Sequence, residues 1–186
     1  LLFYYEPDKL TSENGKAIAA GHFFKIIGQG NKSVELGQEE VVELNEFDVV
    51  WLRQDPPFDM HYITTTFILD ALTAQTLVVN DPFWVRNFPE KLLVLNFPEL
   101  IPPTTITRDI NVLKAFKEKY GDIILKPLYG NGGSGVLRLN LNDQNLESIV
   151  EMYSNFSREP LVAQKFLPQV NKGDKRIILV NGDPVG

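Results

Sequence analysis

A cluster of glycines stands between two apolar runs in the second half of the chain. Within six residues it contains Gly130, Gly132, Gly133 and Gly135, together with Ser134. Glycines tolerate the backbone conformations in which successive N–H groups wrap around an anion. Residues 130–135, here called the glycine loop, therefore indicate a phosphate-binding loop, although an ordinary flexible hairpin has the same composition.

The residues that follow the glycine loop limit which type of phosphate-binding loop it can be. The spacing fits the dinucleotide-binding fingerprint, but that fingerprint opens a helix, whereas residues 136–141 alternate with the period of a strand. A P-loop ends in Gly-Lys-Ser or Gly-Lys-Thr, and Gly135 is followed by Val136. The remaining interpretation is a loop between antiparallel strands that closes over nucleotide phosphates, as the kinase glycine-rich loop does.

Two lysines are candidates for phosphate contacts. Lys126 closes an apolar strand and shortly precedes the glycine loop. Because burying an unpaired ammonium is costly, a phosphate or a nearby carboxylate must compensate its charge. Lys91 lies near the start of a predicted helix, where simple exposure to solvent would account for a lysine.

Two strand ends carry further polar groups. After a strand that includes Gln164 and Lys165, exposed main-chain groups could pair with an adenine edge while Phe166 and Leu167 pack on its face. A strand end with two core residues explains this pattern equally simply. Residues 173–176 form a charged cluster at the start of a predicted strand. Charged residues at strand ends are usually solvated, but in a parallel or mixed sheet ligands also bind there.

Composition bounds the class of protein. The chain has 186 residues of which 44% are hydrophobic, enough for one large domain or two small ones. A net charge of -6 argues against a nucleic-acid partner. The absence of cysteine excludes disulfides, thiolate zinc sites and a cysteine nucleophile. No segment approaches the roughly 20 apolar residues of a membrane span, so no membrane partner and a cytoplasmic location are expected.

Strand and helix patterns alternate over residues 1–101, which predicts an α/β domain. A helix with Ile63 and Phe67 on one face precedes a strand at 76–79, giving a β-α-β unit with a parallel sheet. Trp51 and Trp84 are expected in the core. The other predicted strands of this domain span residues 1–5, 17–27, 33–36 and 47–52, and the last of them is expected to be buried. A second helix start is predicted near Pro89, and the proline-rich seam before residue 102 is the predicted domain boundary.

Residues 102–186 predict a compact α+β unit. Asp109 is expected to cap a helix that buries Val112, Leu113, Phe116 and Tyr120 and exposes the charges between 114 and 119. The Asn-Gly pair at 181–182 predicts a hairpin. Because the chain begins in mid-strand without Met and stops after this turn, a piece of a longer protein is expected. The predicted elements are strands at 104–107, 122–126, 135–141, 161–165 and 175–180, and helices at 109–120 and 144–156.

Five motifs in this order resemble the ATP-grasp ligases, and the resemblance covers essentially the whole chain. The motifs are Glu90-Lys91-Leu92, residues 124–128, the glycine loop, residues 164–168 and residues 173–176. Upstream, Arg53 and Asp55 belong to an Arg-x-Asp-Pro-Pro-Phe segment that is similar to the one characteristic of bacterial-type glutathione synthetases. The implied fold is an α/β pre-ATP-grasp domain followed by an incomplete α+β ATP-grasp subdomain.

The resemblance also implies an activity and roles for residues. The family joins γ-glutamylcysteine and glycine with ATP and Mg²⁺, through an acyl phosphate, to give glutathione, ADP and phosphate. Lys91 and Lys126 would contact the ATP phosphates, the glycine loop would be the closing flap, and residues 164–167 would line the adenine pocket. Arg176 would face the reacting phosphate, and Arg53 and Asp55 would lie near the dipeptide. Metal ligands are expected only after Gly186, and a homo-oligomer is left open.

Three alternatives stay open at this point. Another ATP-grasp ligase, of the D-alanine–D-alanine or ribosomal-protein glutamate type, would share the lysines and the flap but not the segment from Arg53 to Phe58. A nucleotide-binding module without ligase activity would lack the metal carboxylates. A dehydrogenase is disfavoured by the strand that follows Gly135.

Overall fold

The computed structural model describes residues 1–28 and 33–186. The chain divides into two units, Leu1–Leu93 and Val94–Gly186, which are described separately. The predicted boundary before residue 102 falls a few residues inside the second unit, and its position stays a prediction. None of the described helices is long and apolar enough to cross a membrane.

An antiparallel sheet opens the first unit. Its strands are β1 (Leu2–Tyr4), β2 (Leu10–Glu13), β3 (Lys16–Ile26) and β4 (Val34–Glu43), and β3 pairs with all three others. The predicted hairpin between β3 and β4 is confirmed, while part of its turn lies outside the described residues. The sequence analysis overlooked β2, which joins β3 through Asn14 and Gly15, both at positive φ. This is the tight two-residue turn that an Asn-Gly pair favours.

The predicted β-α-β unit is present in the first unit. It consists of β5 (Val49–Trp51), α1 (Met60–Asp70) and β6 (Leu77–Val79), with β5 and β6 parallel. Two short helices follow, α2 (Pro82–Asn87) and α3 (Glu90–Leu93). The core of this unit consists of apolar side chains from β3, β5, α1, β6 and the adjoining turns: Ala17, Ala19, Leu44, Val50, Leu52, Leu69, Leu72 and Val78.

Two expectations about burial in the first unit are wrong. The segment predicted as a buried strand alternates instead, because Val50 is buried while Val49 and Trp51 point outward. Trp51 and Trp84 are 67% and 57% exposed rather than part of the core. Large apolar side chains are usually buried, but residue type alone does not say which side of a strand or helix is covered.

A four-stranded antiparallel sheet organises the second unit. Its order is β7 (Thr104–Thr107), β10 (Leu161–Lys165), β8 (Ile123–Pro127) and β9 (Leu137–Leu139). Helices α4 (Ile110–Tyr120) and α5 (Leu146–Phe156) pack on one side of it. This side, the core face, buries side chains from both helices and three strands: Leu113, Ile123, Leu125, Leu139, Leu146, Leu161 and Ala163.

Helix α4 confirms the predicted cap, and its predicted buried face is confirmed at Leu113 and Phe116 but is wrong at Val112. The Asp109 side chain accepts a hydrogen bond from the Asn111 N–H at 2.8 Å, and Gly121 at φ 77° ends the helix. Val112 is exposed, whereas Lys117, expected on the solvated side, is only 8% exposed. The Lys117 ammonium donates to the carbonyl oxygens of Leu141 and Asp143, and these acceptors compensate its burial.

The chain closes with a small hairpin of β11 (Leu179–Val180) and β12 (Asp183–Pro184). Asn181 and Gly182 have φ of 52° and 90°, so the predicted Asn-Gly turn is confirmed. The strand predicted from residue 175 is wrong over residues 175–178, which have no regular strand structure. Ile178 still exchanges backbone hydrogen bonds with Gly186 and Val185, at 2.7 and 2.9 Å, so the pairing continues one residue beyond β11.

Candidate functional site

The strand register brings the candidate nucleotide residues to one side of the second unit's sheet. Ile124 on β8 pairs with Gln164 on one neighbour and with Arg138 on the other. Lys126 lies two residues further along β8 and therefore points to the same side. Since Ile123 and Leu125 point into the core, Lys126, Arg138 and Gln164 define the opposite side, here called the polar face.

Lys126 is part of a hydrogen-bonded network on the polar face. Its ammonium donates to Gln164 Oε1 at 3.2 Å, and Gln164 Nε2 donates to the Thr104 hydroxyl at 2.8 Å. The Thr104 hydroxyl in turn donates to the Pro102 carbonyl at 2.7 Å. An amide oxygen orients an ammonium, so Gln164 holds the Lys126 side chain in a defined position beside the glycine loop.

The glycine loop connects β8 and β9, which are antiparallel as predicted. Two tight turns shape it, because the Ser134 N–H donates to the Asn131 carbonyl at 3.0 Å and the Val136 N–H to the Gly133 carbonyl at 3.2 Å. Gly132, Gly133 and Gly135 have positive φ, a conformation that other residues adopt at a cost. The glycines are therefore required by the path of the backbone, and the tip of the loop is exposed.

The segment predicted to line an adenine pocket runs along the end of β10. Lys165 and Phe166 use their N–H groups within the protein, donating to the carbonyls of Pro103 and Asp122, both at 2.9 Å. The Phe166 ring is 9% exposed, whereas Leu167 is largely exposed. Phe166 lies two residues beyond Gln164, so it belongs to the polar face and not to the core face.

Sequence reasoning missed Arg138 and Asp122, which hold the Phe166 ring. The Arg138 guanidinium carbon lies 3.9 Å from the ring centroid, and Arg138 Nη2 donates to Asp122 Oδ2 at 2.7 Å. Asp122 Oδ1 also accepts from the Leu141 N–H at 3.0 Å. These bonds, with Arg138 contributing most, lower the pKa of Asp122. The period-two pattern after the glycine loop already placed Arg138 opposite the apolar residues.

The first unit carries the other predicted site residues. Arg53 and Asp55 follow β5 directly and are exposed. Since β5 and β6 are parallel, these residues share the carboxyl edge of the sheet with Asp81, the place where open α/β sheets bind ligands. Gln54 Oε1 is buried there with no hydrogen-bond partner among the described residues. The charge of Asp55 contributes, after larger effects of Glu6 and burial, to a raised pKa of Tyr4.

Lys91 and Arg176 are the remaining predicted site residues. Lys91 lies in α3 of the first unit, and partial burial lowers its pKa against the opposing charge of Glu90. Arg176 is exposed in the irregular segment before β11. Over residues 1–28 and 33–186, no group of three or more histidine or carboxylate side chains is placed to hold a metal. That metal ligands follow Gly186 stays a prediction.

Comparison with solved structures identifies the class of fold. D-cycloserine synthetase DcsG aligns with a TM-score of 0.56 over 70% of this chain and 48% of its own, at 14% sequence identity. At this identity the likeness shows the fold alone. Residues 90–186 match the model described as "Prokaryotic glutathione synthetase, ATP-grasp domain", so the second unit belongs to an ATP-grasp fold. Residues 1–86 match the N-terminal domain of the same synthetase.

The chain belongs to the prokaryotic glutathione synthetase family. It is 51% identical over 185 residues to a glutathione synthetase of Mesorhizobium japonicum and 49% identical over 185 residues to one of Agrobacterium fabrum. Both alignments cover 100% of this chain. The chain spans 59% and 58%, respectively, of the length of these relatives.

Proposed function

We propose that the complete protein joins γ-glutamylcysteine and glycine to form glutathione, with ATP converted to ADP and phosphate. The observation that carries this proposal is the polar face, where Lys126 is fixed by Gln164 at the base of the glycine loop. A lysine ammonium held beside a glycine-rich loop suits a nucleotide triphosphate. The family to which the chain belongs supplies the choice of substrates.

The reaction has two balanced steps. A carboxylate oxygen of the cysteinyl end of the dipeptide takes the γ-phosphoryl group of ATP, which gives an acyl phosphate and ADP. The amine of glycine then attacks the acyl carbon, a proton leaves the nitrogen, and phosphate departs as the amide bond forms. Both steps depend on positioning and charge neutralisation rather than on a nucleophilic side chain.

The residues of the second unit fit the nucleotide part of this reaction. Lys126 would neutralise phosphate oxygens, and N–H groups of the glycine loop would cover them. The end of β10 would hold the adenine ring of ATP, and Arg138 would keep Phe166 in place. Arg176 would face the reacting phosphate.

The residues of the first unit are assigned to substrate contacts. Arg53 and Asp55 would meet the dipeptide at the carboxyl edge of the β5–β6 sheet, where the buried Gln54 Oε1 offers an additional acceptor. Lys91 would contribute a second cation to the phosphates. Mg²⁺, when bound, would neutralise phosphate charge in such a reaction. The described residues form no group of three or more histidine or carboxylate side chains that fits this ion.

The experiment is a phosphate-release assay on the complete protein with ATP, Mg²⁺, γ-glutamylcysteine and glycine. Each amino-acid substrate is omitted in turn, and Lys126→Ala is compared with Lys119→Ala, an exposed lysine on α4. Release that requires both substrates and is lost only in Lys126→Ala supports the proposal. Release with D-alanine or glutamate instead would retain an ATP-grasp ligase but refute the glutathione assignment. ATP binding without turnover on any pair of substrates would favour a regulatory nucleotide-binding module.

The same proposal includes the setting of the protein. It includes small-molecule substrates, a cytoplasmic location and no nucleic-acid or membrane partner, which the net charge of -6 and the family support. A homo-oligomer is compatible with this function, and sedimentation of the complete protein would determine its assembly state.

A further inference from the structure

The glycine loop has a packed base and an open tip. A Cβ atom added to Gly135 would lie 2.9 Å from Pro127 Cγ and 3.4 Å from Tyr153 Cε1, and one added to Gly130 would lie 3.3 Å from Pro127 Cβ. Side chains added at Gly132 and Gly133 would meet nothing within 4 Å. The two ends of the loop therefore converge on the Pro127 ring, while open space surrounds Gly132 and Gly133.

Tyr153 of α5 holds one of these ends. Its hydroxyl donates a hydrogen bond to the Gly135 carbonyl oxygen. Its ring packs partly buried against the core face, at helical spacing from Leu146 and Ile149. Burial raises the pKa of the Tyr153 hydroxyl, which keeps it protonated and able to donate. A rigid helix thus fixes the carbonyl at which the loop joins β9.

We propose that Tyr153 is a positioning residue that anchors the β9 end of the glycine loop, so that the loop closes over phosphates by movement of its tip. The proposal rests on the proposed function, in which this loop covers ATP. An anchored end limits the conformations available to the open loop, so less entropy is lost when the loop closes. Tyr153 does not touch the nucleotide, and its effect is transmitted through Gly135.

The anchor test compares Tyr153→Phe with Tyr120→Phe in the complete protein. The first change removes only the hydroxyl that bonds to Gly135, and the second removes a tyrosine hydroxyl elsewhere in the same unit. The loss of one neutral hydrogen bond corresponds to about a two- to tenfold change in an equilibrium. We expect Tyr153→Phe to raise the KM for ATP by that factor with kcat changed less than about twofold. Tyr120→Phe should leave both constants unchanged.

Hydrogen exchange of the loop amides separates this role from a merely structural one. In the wild-type protein ATP should slow exchange at residues 131–136, and in Tyr153→Phe this protection should fall by the same factor as the affinity. A lower melting temperature with unchanged KM and unchanged protection would overturn the anchor. If ATP gives no protection in the wild type and Lys126→Ala changes nothing, the proposed function itself fails, which is a different outcome.

Discussion

The two faces of the second unit's sheet differ in what they are made of and in what surrounds them. The core face carries a buried cluster of apolar side chains, to which α4 and α5 contribute. The polar face carries Lys126, Arg138 and Gln164. A hydrogen bond joins Lys126 to Gln164, and the strand register places Arg138 on the same side of the sheet. Neighbouring residues such as Leu125 and Lys126 therefore belong to different environments.

Along each strand, side chains that stabilise the fold therefore alternate with side chains on the proposed nucleotide-binding face. Burial of apolar area on the core face supplies the dominant stabilisation. The polar face holds charges that would be costly without partners and that a phosphate would satisfy. We therefore expect substitutions on the core face to change the free energy of unfolding, and substitutions on the polar face to change nucleotide binding.

The largest effect is expected from Leu125→Ala. The Leu125 side chain is fully buried on the core face, and its truncation should lower the free energy of unfolding by about 2–5 kcal/mol. Leu141→Ala is the matched control, because Leu141 is 54% exposed and should change stability by less than about 0.5 kcal/mol. Urea unfolding measures both. Equal effects would show that the core face is not where the stability lies.

A loss of activity is expected from Lys126→Ala. Removing a fixed cation that stabilises transferring phosphate should reduce kcat/KM by about 100-fold, or about 2.7 kcal/mol. The free energy of unfolding should change much less than in Leu125→Ala, because Lys126 contributes to the network on the polar face and not to the core. An equally large loss of stability would contradict the separation of the two faces.

Substitution of Arg138 should have a smaller effect on the nucleotide. A cation–π contact at an exposed site contributes about 0.5–1 kcal/mol, so Arg138→Gln should weaken ATP affinity by about two- to fivefold through a less restrained Phe166. Calorimetric titration measures the change, and Arg158→Gln is an exposed control. Arg138→Lys restores the charge but not the planar group. If Arg138→Gln binds ATP with wild-type affinity, Arg138 does not act on the nucleotide by positioning Phe166.

The smallest effect concerns pH. The Asp122 pKa lies below its ordinary value of 3.8, first because of the hydrogen bond from Arg138. A depressed carboxyl pKa stabilises the fold above the unfolded pKa, and this contribution is lost as the pH falls through the folded value. The stability difference between wild type and Asp122→Asn should therefore shrink as the pH falls below about 3.8. In an Arg138→Gln background the same comparison should depend less on pH.

Local sequence patterns predicted much of the second unit. The strands Thr104–Thr107 and Leu161–Lys165 are confirmed at both ends, because each is an uninterrupted strand-forming run between turn signals. The strand expected from residue 175 failed because its extent depends on a partner strand. The burial of Lys117 could not be read from α4 either, since it depends on carbonyls of a loop far along the chain.

The site shows the same division between local and non-local information. The glycine loop and Lys126 were recognisable because they lie close together in the sequence and carry distinctive residue types. Arg138, Asp122 and Tyr153 were not singled out, because their partners are brought to them by strand register and by the packing of α5. The roles of Arg53, Asp55, Lys91 and Arg176 stay predictions that rest on the family resemblance.

The most direct test of the account uses the melting temperature of the complete protein with and without ATP and Mg²⁺. A ligand that binds the folded state raises this temperature in proportion to its affinity. We predict that Leu125→Ala melts well below the wild type but keeps the increase caused by ATP. Lys126→Ala should melt near the wild type and lose that increase. If Lys126→Ala keeps the full ATP-dependent increase, the assignment of ATP to the polar face is contradicted.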